Sequence, residues 1–144
     1  MIAARRERGS ATIEFIWLTL LLLVPLVYVM VAVFDTQRAA YGVSAASQSA
    51  AQAFVRSPDV VTAERRARTA AQLALDDHGL PAATVTIACL PSTADCLAPG
   101  SKVRVLVRTT QPLPLTPAVL GDQVGAITVD STHTETYGTY REGR

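Results

Sequence analysis

From Phe15 to Phe34 the chain carries no charged residue. As a helix rising about 1.5 Å per residue, this run measures about 30 Å, the thickness of a bilayer's hydrocarbon core. No other feature constrains the fold as much. An apolar stretch of that length either crosses lipid as a helix or is removed as a leader, and no second stretch of the kind follows it. Arg5, Arg6 and Arg8 precede the span, whereas only Arg38 falls in the turns just after it. That bias places the N-terminus in the cytoplasm and everything after Asp35 on the other side of the membrane. Cys89 and Cys96 fit an extracytoplasmic position, because disulfides persist in oxidising compartments.

Beyond the anchor, a chain of 144 residues leaves room for one modest domain. Net charge is +1, with one lysine against twelve arginines. Neither a basic run longer than the Arg5–Arg8 leader nor a basic patch interleaved with aromatics occurs, so no nucleic-acid partner is expected.

After the span, "DTQRAAYGVSAASQSAAQAFV" continues without proline and is rich in alanine, which predicts that the same helix leaves the membrane and runs to about Val55. Gly42, Ala46, Ala50 and Ala53 recur at helical spacing on this segment. They form either a smooth stripe where another helix comes close or simply the outcome of abundant alanine. Ser57-Pro58 ends the rod, since the residue before proline avoids the helical region and proline cannot donate. Pro25, inside the span, removes the hydrogen bond to Leu21 and predicts a kink of the kind membrane helices tolerate.

A second helix is predicted from about Thr62 to His78, with Gly79 and Pro81 as its stop. Ala63, Ala67, Ala70 and Ala74, with Leu73 beside them, make its inward face, and Arg65, Arg66, Arg68, Gln72 and Asp76 lie largely on others. The period then changes from helical to alternating. "ATVTIAC" sets Val85, Ile87 and Cys89 on one face. "KVRVLVR" sets Val103, Val105 and Val107 against Arg104 and Arg108, and "AITVDSTHTETY" sets Ile127, Val129, Ser131 and His133 together. Three half-buried antiparallel strands and one packed helix predict a small α+β head on a long helical stalk. "CLPSTADCLAPG" is a loop whose two cysteines can close a ring, and the proline-rich "QPLPLTPAVLGD" is an irregular connection.

No constellation in the sequence suggests catalysis or metal binding, and no cofactor is expected. Four ligands at close spacing are missing, since Cys89 and Cys96 share the chain with only His78 and His133. Ser131, His133 and Asp130 offer a nucleophile, a base and an orienter by type, but strand alternation turns Asp130 to the opposite face. No phosphate-cradling glycine loop occurs.

Glu14 stands one residue before the span. It is either an interfacial charge at headgroup depth or part of a signal. A basic leader ends in Gly9, Ser10 and three further residues follow, then Glu14-Phe15, then the apolar helix. This order resembles the class III signal of type IV pilins and pseudopilins. The resemblance implies that a membrane aspartic prepilin peptidase cuts between Gly9 and Ser10 on the cytoplasmic side. A neighbouring subunit's Glu14 then pairs with the new α-amine of Ser10. At 4 Å and an effective dielectric near 20, that attraction is on the order of 4 kcal/mol before desolvation is subtracted. Many type IV pilins begin with an aromatic residue or methionine where this chain has Ser10.

Within that class the whole chain resembles TadE-like minor pilins or pseudopilins of the tight-adherence (Tad/Flp) system, of the kind found in actinobacteria. The features that carry this are "RERGSATIEF", the span with its internal proline, the alanine-rich rod ending in "AQAFV", the helix "AERRARTAAQLALDDHGL", the cysteine pair followed by "LAPGSKVRV", and "LPLTP" before the last strand and "YRE". The resemblance implies a non-enzymatic structural subunit with a leader at 1–9, a transmembrane and stalk helix at 10–56 and an extracytoplasmic head at 57–144. Its implied partners are other pilin subunits, the prepilin peptidase, a polytopic platform protein and a cytoplasmic secretion ATPase. The alternatives are a secreted or anchored binding domain with an ordinary Sec signal cut near Val43–Ala45, and an anchored extracytoplasmic enzyme.

Overall fold

The computed structural model describes residues 10–92, 96–112 and 125–139. The leader with Gly9, the centre of the inter-cysteine loop, most of the proline-rich connection and the last five residues lie outside the described residues.

Helix α1 (Ser10–Val55, 46 residues) runs unbroken through Pro25 and through both the apolar and the alanine-rich segments. Its last turn is closed by local bonds. Ser57 donates its backbone N–H to Phe54 O at 3.0 Å and its hydroxyl to Ala53 O at 2.8 Å, which satisfies carbonyls that the helix itself leaves open. Pro58 prevents any continuation. Helix α2 (Val60–Asp77) begins two residues before the expected Thr62, because Asp59 is its N-cap. Asp59 has extended backbone angles, and its carboxylate accepts the Thr62 N–H at 2.8 Å. The helix stops as the sequence suggests. Gly79 adopts φ 62°, Leu80 N–H reaches Leu75 O at 3.0 Å and Gly79 N–H reaches Asp76 O at 2.9 Å, with Leu75 and Leu80 both buried beside this turn.

Strands β1 (Thr84–Leu90), β2 (Lys102–Pro112) and β3 (Ala126–Thr136) form one antiparallel sheet in the order β1-β2-β3. The register places Val85 opposite Val107, Cys89 opposite Val103, Val105 opposite His133 and Val107 opposite Ser131. One face therefore gathers the apolar positions of β1 and β2, and Val103, Val105 and Val107 are fully buried.

The fold class is the α+β arrangement expected, and the packing adds detail. The sheet lies chiefly against the C-terminal half of α1, while α2 runs along α1 and reaches the sheet at β1. There the Arg68 guanidinium donates to Val85 O at 3.0 Å. The core consequently includes Ala39, Val43, Ala46, Ala50, Ala51 and Phe54 of α1, all fully buried. A boundary at residue 56 or 57 thus divides the chain but not the head, because this half of the rod is the head's central element.

Two further details differ from expectation. On α2 the buried line runs through Ala63, Ala67, Ala71 and Leu75, with Ala70 and Ala74 half-buried. Leu73, expected beside that line, is 64 % exposed. A strict four-residue spacing selects the line that meets α1, and Leu73 projects about 200° around the helix from Ala71 and Leu75. Strand β2 also extends through Thr109, Thr110, Gln111 and Pro112, so the first two residues expected in the irregular connection belong to the sheet. Gln111 pairs with Ile127 and Pro112 with Ala126, which explains the extension, and Pro112, with no N–H to donate, stands at the strand's end.

Candidate assembly surface on the N-terminal helix

The two halves of α1 have opposite surroundings. Every leucine, isoleucine and valine from Ile13 to Val33 is exposed, and Phe15 and Trp17 are each 69 % exposed. An apolar side chain left in water forgoes about 1.5–3 kcal/mol relative to burial, so a continuous bare run of them demands another apolar environment. α1 is long and apolar enough to cross a membrane, and none of its most apolar window is buried within the chain. The first polar group beyond the run is Asp35, which accepts a 3.5 Å ion pair from Arg38 one turn later. The first fully buried residue, Ala39, follows in the next turn. The bare helix and the head therefore meet within about one turn of chain, roughly 6 Å along the axis.

At the other end of the run, Ser10 is the first helical residue and Glu14 lies one turn further on, exposed, immediately before Phe15. Glu14 makes no hydrogen bond or ion pair among the described residues. Gly9, the residue expected to precede a cut, lies outside the described residues. The structure thus brings Ser10, Glu14 and Phe15 together at the start of one helix and gives the carboxylate no partner among the described residues.

The small-residue stripe falls in the head half. Gly42, Ala46 and Ala50 are buried and Ala53 is half-buried, all by the chain's own elements. A Cβ on Gly42 would overlap Leu80 Cδ1 and lie 3.1 Å from His78 Cβ, so the missing side chain is the space in which the end of α2 sits. The neighbouring face of α1 meets the sheet, where Ser47 is 1 % exposed and donates its hydroxyl to Ser131 Oγ at 3.3 Å.

Cys89 and Cys96 are joined as a disulfide across Cα atoms 5.1 Å apart, and both are buried. The loop is tied to the sheet by further bonds. Ser101 donates its hydroxyl to Cys96 O at 2.9 Å, Gly100 N–H reaches Tyr137 O at 3.1 Å, and Tyr137 N–H reaches Ser101 O at 2.8 Å. Gly100 has φ 83°, a conformation that glycine adopts without strain.

Among the polar strand residues, Asp130 is exposed on the face opposite His133, as alternation requires. His133 instead has Glu135 beside it, with Nε2 and Oε2 3.2 Å apart on the half-buried face. The sequence signal for this pairing is the two-residue spacing, which puts both side chains on one face of a strand. Among the described residues no group of three or more His, Cys, Asp or Glu is placed to hold a metal ion.

The chain matches no protein-family model, and no curated protein or solved structure is significantly similar to it.

Proposed function

We propose that the chain is a structural subunit of a pilus-like assembly, a TadE-like minor pilin or pseudopilin that is cut after Gly9 and packs through α1. The observation that carries this reading is the bare apolar half of α1, with Glu14 at its start, without a partner among the described residues, and a disulfide-bonded head built on the same unbroken helix. A carboxylate beside an apolar span is costly to leave unpaired once lipid or other helices surround it, and an α-amine created at Ser10 of an adjacent subunit supplies the opposite charge. The head lies outside the cytoplasmic membrane, and movement of the subunit comes from a platform protein and a secretion ATPase acting from the other side.

The continuity of α1 also weighs against a Sec signal cut near Val43–Ala45. Val43 and Ala46 are fully buried, and a cut there would strip Ala39 and Val43 from the head's core. The experiment is the mass of the protein extracted from membranes of its native host. A mature N-terminus at Ser10 that disappears when Gly9 is replaced by leucine supports the proposal. An intact Met1 in cells with active prepilin peptidase, or an N-terminus near Ala46, contradicts it. With the cut intact, Glu14→Ala is expected to be processed normally and to assemble poorly.

A further inference from the structure

The side of the sheet turned away from α1 has a chemistry of its own. On β2, Lys102, Arg104 and Arg108 all point outward and are exposed, with half-buried Leu106 between the two arginines. None of the three cations makes an ion pair among the described residues. Because β2 is the central strand, this column runs down the middle of the face rather than along an edge. Side chains two apart on one face of a strand are separated by about 7 Å, so the cations occupy the first, second and fourth steps of a ladder about 20 Å long.

Threonines border the column. Thr86 and Thr132 flank Leu106, Thr134 stands beside Arg104, and Thr136 stands beside Lys102. All four are exposed. The described residues of the face include a single acid, Asp130, opposite Arg108. The face is therefore cationic along its axis and lined by hydroxyls, and its aromatic content is nil among the described residues.

We infer that this face binds an extended acidic polysaccharide. Carboxylates spaced along such a chain match a row of exposed cations, and arginine presents planar paired donors suited to them. Threonine hydroxyls meet ring hydroxyls, and Leu106 offers an apolar spot for the C–H face of a sugar between two charged steps. A nucleic acid shares the charge but finds no aromatic side chain among the described residues of this face on which to stack its bases. The inference does not rest on the pilin proposal, because the face lies on the opposite side of the sheet from α1.

The test uses the full chain in a neutral detergent micelle, titrated with polygalacturonate oligomers, with dextran as an uncharged comparison and oligo-dT as a phosphate polymer. Saturable binding to polygalacturonate and not to dextran is expected, weakening as salt is added. Arg104→Gln combined with Arg108→Gln should weaken it about tenfold, a size suited to two exposed charge contacts. Arg65→Gln combined with Arg66→Gln removes the same charge from the exposed side of α2 and should leave affinity nearly unchanged. Three results overturn the inference. They are an absence of saturable polygalacturonate binding, an equal loss in both double variants, or oligo-dT binding as tightly as polygalacturonate.

Discussion

One helix, α1, spends its first half bare and its second half buried, and the residues are inverted with respect to those surroundings. Leucine, valine, isoleucine and phenylalanine fill the exposed half, whereas alanine, glycine and serine fill the half that is packed. In a single solvent this order makes no sense, because the larger apolar side chains gain most from leaving water. It makes sense if the first half is solvated by lipid or by other helices and the second by its own head. There, small side chains allow α2 and the sheet to come close on two adjacent faces, as Gly42 beneath Leu80 and Ser47 beneath Ser131 illustrate.

The same substitution placed in each half separates the two environments most sharply. Ala50→Arg forces an unpaired charge into a fully buried site and should destabilise the head by about 3 kcal/mol or more, read as a fall in its melting temperature in detergent. Membrane association should survive it. Leu22→Arg should do the reverse. It adds a cost of about 2.5–3.5 kcal/mol to membrane insertion, read as loss of carbonate-resistant protein, and leaves the melting temperature of the head where it was.

A smaller effect, confined to the head, comes from the disulfide. Cys89→Ser and Cys96→Ser open the same short loop and should each cost roughly 2–3 kcal/mol on the loop-entropy model, with equal shifts in melting temperature. Thiol labelling of the native protein should fail until reductant is added.

The smallest effect is a pH dependence at the start of α2. Hydrogen bonds from Thr62, the backbone N–H foremost, hold the Asp59 carboxyl below its ordinary value. A carboxylate depressed by folding stabilises the head above its unfolded pKa, and that contribution is lost as the pH falls through the lower folded value. Asp59→Asn keeps a capping side chain without the titration, so the melting temperatures of the variant and the parent should diverge least in strong acid and differ by a constant amount at neutral pH.

Much of this architecture is legible in the residues because its signals are local. The long apolar helix, the Ser57-Pro58 stop, the Gly79 stop and the alternation of Val103, Val105 and Val107 each depend on residues adjacent in sequence. What was not legible depends on partners distant in sequence. Leu73 reads as a core residue until the position of α1 selects the Ala63–Ala67–Ala71–Leu75 line instead. Gly42 reads as one more small residue until Leu80 occupies the space above it. Gln111 and Pro112 read as a loop because proline usually breaks a sheet, and only their pairing with β3 extends the strand. Asp59 is a local signal as well, since an aspartate just after Pro58 is a ready N-cap. At the candidate surface, Glu14 and Phe15 are conspicuous by spacing alone, whereas the pairing of His133 with Glu135 needs a strand already in place.

The most direct test of the two-environment helix is a site-directed spin-label scan along α1 in lipid nanodiscs, read as accessibility to oxygen and to a water-soluble nickel chelate. A continuous helix that enters lipid near Phe15 and joins its head after Phe34 predicts high oxygen and low nickel accessibility across that whole interval. From Ala39 to Val55 it predicts a 3.6-residue oscillation between protected and water-exposed sites. Nickel access to residues 15–34, or a break in the helical period between Asp35 and Ala39, would contradict it.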